Sequence, residues 1–192
     1  MAKLYFYYAA MNAGKSTTLL QAAFNYAERG MGVMLFTAAI DDRAGAGQIA
    51  SRIGLDAEAR PFDAMTDITA VVRAESATRA IACVLIDEAQ FLTRAQVWQL
   101  AELCDGDDMP VVAYGLRTDF RGELFEGSAA LLGIADSLTE LKAICECGRK
   151  ATMNLRVDAA GRAVQDGVQT EIGGNDRYIA LCRRHFTQRL RD

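Results

Sequence analysis

The sequence predicts an α/β fold with a central, mostly parallel sheet, followed by a small metal-binding unit. An apolar segment, residues 3–8, leads through a short loop into Gly14-Lys15-Ser16 and a helical pattern. The apolar residues 81–86 end in Asp87-Glu88, as a buried strand does at the carboxyl edge of a parallel sheet. Three of the five cysteines lie near the C-terminus with the single histidine. A chain of 192 residues, 51% of them hydrophobic, has room for one α/β domain and such an appendage.

The composition argues against several classes of protein. A formal net charge of −4 argues against a dedicated nucleic-acid binder. No apolar run approaches the roughly 18 residues that a membrane span needs, so we expect no membrane partner. The N-terminus lacks the charged segment, apolar run and small-residue cleavage site of a secretory signal. We therefore expect a cytoplasmic protein.

The loop between the first strand and the first helix has the pattern of a phosphate-binding P-loop. Backbone N–H groups and the helix N-terminus would face an anion, Lys15 would reach the β- and γ-phosphates, and Ser16 would ligate Mg²⁺. The pattern favours glycine where this chain has Ala9, so the loop requires a negative φ there. An ordinary strand-to-helix turn that happens to contain Gly-Lys-Ser remains an alternative. The candidate phosphate-binding residues are Ala9, Ala10, Met11, Asn12, Ala13, Gly14, Lys15 and Ser16.

The next part of the chain predicts a second buried strand, residues 33–37, and a charged loop, residues 41–47. Three charged side chains in or near this loop have two possible roles. They would reach a polyphosphate or its metal, or they would simply be solvated. These residues are Asp41, Arg43 and Arg52.

The pair Asp87-Glu88 is the second candidate for chemistry. At the carboxyl end of a strand, Asp87 would hold Mg²⁺ directly or through water. Glu88, one residue further on, would reach the nucleophile rather than the metal. The alternative is a carboxylate pair that caps the helix predicted after Thr93.

A fourth strand, residues 111–114, precedes a loop over residues 115–125 that also leaves the carboxyl edge of the sheet. Phe120, Leu124 and Phe125 of this loop would bind a flat apolar ligand or pack in the core. A helix over 67–79 is predicted to cover the sheet, and a strand over 137–143 to close the domain.

Two cysteine-containing turns, residues 145–150 and 182–185, predict a structural zinc site. Three thiolates and an imidazole can surround Zn²⁺ tetrahedrally and leave no open position for catalysis. In a reducing compartment such clustering favours a metal over disulfides. One residue separates the first two cysteines where two or more are usual, and Gly148 would allow this tight turn. The candidate ligands are Cys145, Cys147, Cys182 and His185.

Between the cysteine turns, the sequence predicts short strands over 151–156 and 162–169 and a glycine-bearing loop over 165–178. A loop pinned at both ends by one metal would fold over a bound substrate as a lid, with backbone groups for a base-like ligand and Tyr178 closing the site. A surface hairpin on a zinc ribbon is the alternative.

Taken together, these motifs resemble those of the zinc-containing (type II) thymidine kinases. The resemblance covers essentially the whole chain and keeps the order and spacing of the motifs. It looks closest to the enterobacterial-type cytosolic enzymes, in which the single-spacer cysteine turn and a residue other than glycine at position 9 are also found. The segments that carry the resemblance are residues 11–17, 85–91, 114–122, the two cysteine turns and 172–178.

The resemblance implies a RecA-like P-loop domain over residues 1–142 and a zinc-bound lasso domain over residues 143–192, in a homotetramer. It implies that ATP, with Mg²⁺, binds residues 9–16 and the residues Asp87, Glu88, Ala89 and Gln90. Glu88 would accept the proton from the 5′-hydroxyl of thymidine. Backbone groups of the lasso, from about residue 169 to residue 175, would contact the edge of the base, and dTTP would inhibit by occupying both subsites. The side chains expected to enclose thymine are Met11, Phe120, Leu124 and Tyr178.

Two rival classes remain at this stage. A RecA-like P-loop ATPase also places Glu after the strand-end Asp, but it uses the carboxylate to activate water and acts on DNA. A zinc-ribbon adaptor or nucleic-acid-binding module without catalysis would leave Lys15, Ser16, Asp87 and Glu88 unexplained. The acidic charge of the chain argues against both nucleic-acid readings.

Overall fold

The structure is a computed structural model that describes residues 1–170 and 177–191. Its helices are α1 (Lys15–Glu28), α2 (Ile68–Ser76), α3 (Arg94–Asp107), α4 (Glu126–Ile134) and α5 (Arg183–Arg189), with a 3₁₀ turn over Ala89–Phe91. Its strands are β1 (Leu4–Ala9), β2 (Val33–Ala38), β3 (Gln48–Ala50), β4 (Asp56–Glu58), β5 (Arg60–Phe62), β6 (Cys83–Ile86), β7 (Val111–Leu116), β8 (Ser137–Glu140), β9 (Ala143–Ile144), β10 (Lys150–Ala151), β11 (Met153–Arg156) and β12 (Tyr178–Leu181).

The central sheet is parallel throughout. Within the described ranges it has six strands in the order β5-β2-β6-β7-β1-β8, and every neighbouring pair runs in the same direction. All four side chains of β6 are fully buried, which explains why this strand is apolar at every position rather than at alternate ones. The predicted α/β class with a parallel sheet is confirmed.

Helices cover both faces of this sheet. Leu19 of α1 packs in one apolar cluster with Leu85, whereas Leu100 of α3 and Leu131 of α4 pack in another with Ile86. Leu85 and Ile86 are successive residues of β6, and successive side chains of a strand point to opposite faces. The sheet is therefore the middle layer of three.

The ends of three neighbouring strands determine where a site can form. Ala9 of β1 pairs with Leu116 of β7, and Ile86 of β6 pairs with Ala113 of β7. The segments that leave β1, β6 and β7 consequently begin at one edge of the sheet. Open α/β sheets bind their ligands at this carboxyl edge.

The C-terminal unit has a small core of its own. A third apolar cluster contains Ala143 of the antiparallel pair β9–β10, Leu155 and Leu181 of the pair β11–β12, and Phe186 of α5. Ala10, from the loop after β1, belongs to the same cluster. The unit therefore packs directly against the P-loop segment.

Several predicted elements need correction. The strand predicted over 162–169 is wrong: residue 163 makes one isolated bridge to Val157, and the rest of that segment is irregular. Glycines at 161 and 167, both at positive φ, flank a polar stretch that gives a ladder little to bury. The strand predicted over 137–143 ends at Glu140, and the one over 151–156 begins at Met153.

No helix in the described parts of the chain has the length and apolar character needed to cross a bilayer.

Candidate active site

A cavity of about 550 Å³ lies at the carboxyl edge of the sheet, between the P-loop, the segment after β6, the loop after β7 and the C-terminal unit. Predicted site residues that line it are Met11, Asn12, Gly14, Lys15, Ser16, Asp87, Glu88, Gln90, Phe120 and Tyr178. The predicted site residues that do not line the cavity are Ala9, Ala10, Ala13, Ala89 and Leu124. The structure thus brings both halves of the predicted site into one space.

The segment after β1 has the strand–loop–helix form that the sequence predicts. Asn12 and Gly14 adopt positive φ values of 66° and 77°, and α1 begins at Lys15. Ala9 is the last residue of β1 and its φ is not positive. Its methyl group therefore fits the extended backbone of the strand. The residue that departs from the glycine pattern is therefore accommodated.

Lys15, Ser16 and the carboxylates after β6 form a buried charged group. The Ser16 hydroxyl donates a hydrogen bond of 2.8 Å to Asp87 Oδ2. Burial lowers the pKa of Lys15, against the opposing effect of Glu88 and Asp87. Burial and the neighbouring Glu88 carboxylate raise the pKa of Asp87, against the effect of the Ser16 hydrogen bond and Lys15. The hydroxyl and carboxylate oxygens are hard donors of the kind that suits Mg²⁺.

The Glu88 carboxylate is held from two sides. Arg43 Nη2 lies 2.8 Å from Glu88 Oε1, and the side-chain amide of Gln90 donates to Glu88 Oε2. Arg43 itself is held by both oxygens of Asp41, each at 2.6 Å. The sequence left the loop 41–47 open between two roles, and the structure places Arg43 in the cavity against Glu88.

Several apolar side chains also line the cavity. Phe120 and Tyr178 are buried, and Met11 lines the same space. Phe125 also lines it and packs edge-on against Phe91 at a ring-centroid distance of 5.9 Å. Leu124 is 48% exposed, so its expected contact with a base remains a prediction.

Asn154 of β11 lines the cavity, and Arg156 of the same strand packs on Phe120, which also lines it; no sequence motif indicates either residue. Asn154 accepts a hydrogen bond of 2.8 Å from the Met11 N–H and donates one of 3.1 Å to the Thr118 carbonyl. The Arg156 guanidinium carbon lies 3.6 Å from the ring centroid of Phe120. Single polar residues in a short strand carry no motif, so only the fold shows what they contact.

The segment predicted to act as a lid is described in part. The Gln169 side-chain amide donates a hydrogen bond of 3.2 Å to Asp119 Oδ2, and both residues line the cavity together with Thr170. The predicted base-contacting residues 171–175 lie outside the described residues.

The four predicted zinc ligands converge. Their ligand atoms all lie within 4.8 Å of one another, with Cys147 Sγ 3.8 Å from Cys182 Sγ and Cys145 Sγ 3.4 Å from His185 Nδ1. Four ligands placed about 2.3 Å from one Zn²⁺ stand about 3.8 Å apart, whereas a disulfide requires about 2.05 Å. Burial works against ionisation, but backbone N–H groups of Cys147 and Cys182 and the His185 ring lower the pKa of Cys145 to about 6. The residues present therefore fit a closed Cys₃His zinc site.

Comparison with known families agrees with this geometry. The family model described as "Thymidine kinase" matches residues 2–186. The chain belongs to the thymidine kinase family. A thymidine kinase of Novosphingobium aromaticivorans is 70% identical over 190 residues, which cover 99% of each chain. Thymidine kinases of Salmonella typhimurium and Vibrio cholerae are each 58% identical, over 192 and 190 residues, and the matches cover 94% and 99% of those chains. The resemblance to the thymidine kinase family that the motifs indicate is confirmed.

Proposed function

We propose that this chain transfers the γ-phosphoryl group of ATP to the 5′-hydroxyl of thymidine, giving dTMP and ADP for nucleoside salvage. The observation that carries the proposal is the position of Glu88, which shares one cavity with Lys15 and Ser16 on one side and with Phe120 and Tyr178 on the other. A phosphate-binding loop, a carboxylate and an apolar pocket meet there. Membership of the thymidine kinase family supports the choice of acceptor.

On the phosphate side, residues 9–16 would cradle the ATP phosphates through backbone N–H groups, and Lys15 would contact the β- and γ-phosphates. Ser16 and Asp87, joined by a hydrogen bond, are the residues that would hold Mg²⁺. Mg²⁺ bound with ATP supplies positive charge for the transferring phosphoryl group. Arg43 lines the same space, which favours a phosphate-facing role over a merely solvated one.

On the nucleoside side, Met11, Phe120 and Tyr178 would enclose thymine, with Leu124 at the rim. Glu88 would take the proton from the 5′-hydroxyl as its oxygen attacks the γ-phosphorus in line. The new bond joins that oxygen to phosphorus, the bond from phosphorus to the β-phosphate oxygen breaks, and its electron pair leaves with ADP. Phosphoryl transfer needs little covalent help, so positioning and charge stabilisation would supply most of the rate.

The family resemblance supports four further parts of the proposal. The chain would act in the cytoplasm as a homotetramer, with structural Zn²⁺ in the Cys145 cluster. The triphosphate dTTP would inhibit by spanning both subsites. A nucleic-acid partner is not part of the proposal, because the net charge is −4.

Incubation of the purified chain with Mg²⁺, ATP and either thymidine or single-stranded DNA tests the proposal, with ADP and dTMP as the measured products. We expect ADP formation that depends on thymidine and matches dTMP formation mole for mole. ADP formation stimulated by DNA, without dTMP, would instead support a RecA-like ATPase with a zinc-ribbon module. An absence of ADP with either acceptor would support a binding module.

A further inference from the structure

The backbone conformation of Glu88 does not by itself fix the orientation of its side-chain carboxylate. It lies between β6 and the 3₁₀ turn with a φ of 52°, in the left-handed region that residues with a Cβ rarely adopt. Its backbone N–H contacts Asp87 Oδ1 at 3.0 Å. A carboxylate at the end of a flexible side chain needs further contacts if it is to meet a hydroxyl in one geometry.

Gln90 makes such a contact, and it is anchored to the sheet as it does so. Its amide nitrogen donates to Glu88 Oε2, while its amide oxygen accepts a hydrogen bond of 2.9 Å from the Leu116 N–H at the end of β7. Gln90 is 2% exposed. Both polar ends of this buried amide are therefore used, one on the carboxylate and the other on the central sheet.

Two glycines let the 3₁₀ turn pack this closely against its neighbours. A Cβ at Gly115 of β7 would lie 3.0 Å from both the backbone nitrogen and the side-chain oxygen of Gln90. A Cβ at Gly127 of α4 would lie 2.6 Å from the Ala89 carbonyl and 2.7 Å from that of Leu92. Real Cβ atoms essentially never come as near to backbone as at Gly127, so that position accepts the turn only as glycine, whereas a Cβ at Gly115 would require Gln90 to shift by a few tenths of an ångström.

We propose that Gln90 is the positioning residue of the base: it ties Glu88 Oε2 to β7 and thereby presents Glu88 Oε1 as the oxygen that accepts the hydroxyl proton. The inference rests on the proposed function. It replaces the expected direct contact of Gln90 with ATP by a role that acts through Glu88. Arg43, whose side chain is 43% exposed, contacts Oε1, whereas the buried Gln90 holds Oε2.

The first experiment compares Gln90→Leu with Gln96→Leu. Leucine is close to glutamine in size but offers neither hydrogen bond. Loss of a hydrogen bond to a charged group lowers kcat by about 10- to 100-fold, and the KM values for ATP and thymidine stay within about twofold. Gln96 is also 2% exposed, but it caps α3 and binds the Asp63 and Thr66 carbonyls. Its variant should lose stability and keep kcat.

A double-mutant cycle with Glu88→Gln separates positioning from general loss of structure. If Gln90 acts through Glu88, Gln90→Leu lowers kcat in the parent and has no further effect in the Glu88→Gln background. An equal loss in both backgrounds, or a raised KM for ATP with kcat unchanged, would overturn the inference. If Gln90→Leu does not fold, Gln90→Met replaces it in the cycle, since its flexible thioether fills the space, keeps a weak acceptor for Leu116 and removes the donor to Glu88.

The same cycle distinguishes this inference from the proposed function. A Glu88→Gln variant with undiminished turnover would contradict the role of Glu88 as base. A strongly impaired Glu88→Gln with a fully active Gln90→Leu would leave the proposed function standing and reject the role of Gln90.

Discussion

Arg156 joins the C-terminal unit to the apolar side of the cavity. It is 3% exposed, its guanidinium lies over the ring of Phe120, and its Nη2 donates a hydrogen bond of 2.6 Å to the Val168 carbonyl. One buried cation thus holds an aromatic wall of the cavity and the segment that leads into the predicted lid. Stacking on an aromatic face and a charged hydrogen bond each contribute about 1–3 kcal/mol when desolvated.

We expect Arg156→Met to raise the KM for thymidine about 10-fold or more and to leave the KM for ATP nearly unchanged, because Phe120 and the Val168 segment lose their common support. Steady-state kinetics with each substrate varied in turn measures both values. Arg162→Met is the matched control, since the Arg162 side chain is 80% exposed and pairs with Asp158 on the surface. An unchanged KM for thymidine in Arg156→Met would show that the stack has no part in nucleoside binding.

Residues with local spacing could be predicted from the sequence, and residues with distant partners could not. The P-loop, the Asp87-Glu88 pair and each cysteine turn are short motifs whose chemistry is fixed by neighbours in the chain. The contact between Met11 and Asn154 joins residues 143 positions apart, and that between Arg43 and Glu88 joins residues 45 apart. Such pairs depend on how the strands are ordered, which no single motif encodes.

At the scale of elements, α4 is the support on which the 3₁₀ turn rests. Gly127, in its first turn, faces the Ala89, Gln90 and Leu92 carbonyls, whereas Gly133, near its end, has open space where a Cβ would be. The two glycines therefore lie in one helix but in opposite environments. This pair allows a matched test of packing under the base.

Gly127→Ala should lower kcat and destabilise the chain by about 1–3 kcal/mol, because the added methyl group displaces the turn that carries Glu88 and Gln90. Gly133→Ala should stabilise it by about 0.5–1 kcal/mol, since alanine favours the helix and meets no neighbour. Thermal unfolding and steady-state kinetics of both variants check the prediction. Equal effects of the two substitutions would mean that close packing at Gly127 is not required.

The sequence predicts long elements better than short ones. The buried strands β1, β2, β6 and β7 have apolar runs that leave little choice of structure. The three-residue strands β3, β4 and β5 went unpredicted, because such short segments form only when a partner strand is present. Residues 162–169 carry few apolar side chains that a sheet could bury, so the strand predicted there did not form.

At the scale of the whole molecule, the Cys₃His group (Cys145, Cys147, Cys182 and His185) and the cavity are linked by β11 and β12. Leu155 of β11 and Cys182, just after β12, share one apolar cluster with Ala10 of the P-loop segment. Asn154, next to Leu155, binds the Met11 N–H of that same segment. The geometry of the Cys₃His group is thus coupled by packing and by a hydrogen bond to the loop that would hold the phosphates.

We expect Cys147→Ser to lose zinc and activity together, because metal binding and folding of such a unit are coupled. Metal analysis should find about one zinc per parent chain and well below one per variant chain. The parent treated with a strong chelator should behave like the variant. Arg149→Gln, an exposed residue of the same turn without a ligand atom, is the control and should keep both. Full activity in zinc-free protein would contradict the coupling.

We propose above all that the cavity shared by the P-loop and the C-terminal unit transfers phosphate with Glu88 as the base. Turnover of Glu88→Gln at saturating ATP and thymidine, with binding of both substrates measured at equilibrium, tests it most directly. Glu102→Gln, on the exposed side of α3, is the control. We expect Glu88→Gln to bind both substrates as the parent does and to lose about 10²-fold or more in kcat. An unchanged kcat would contradict it.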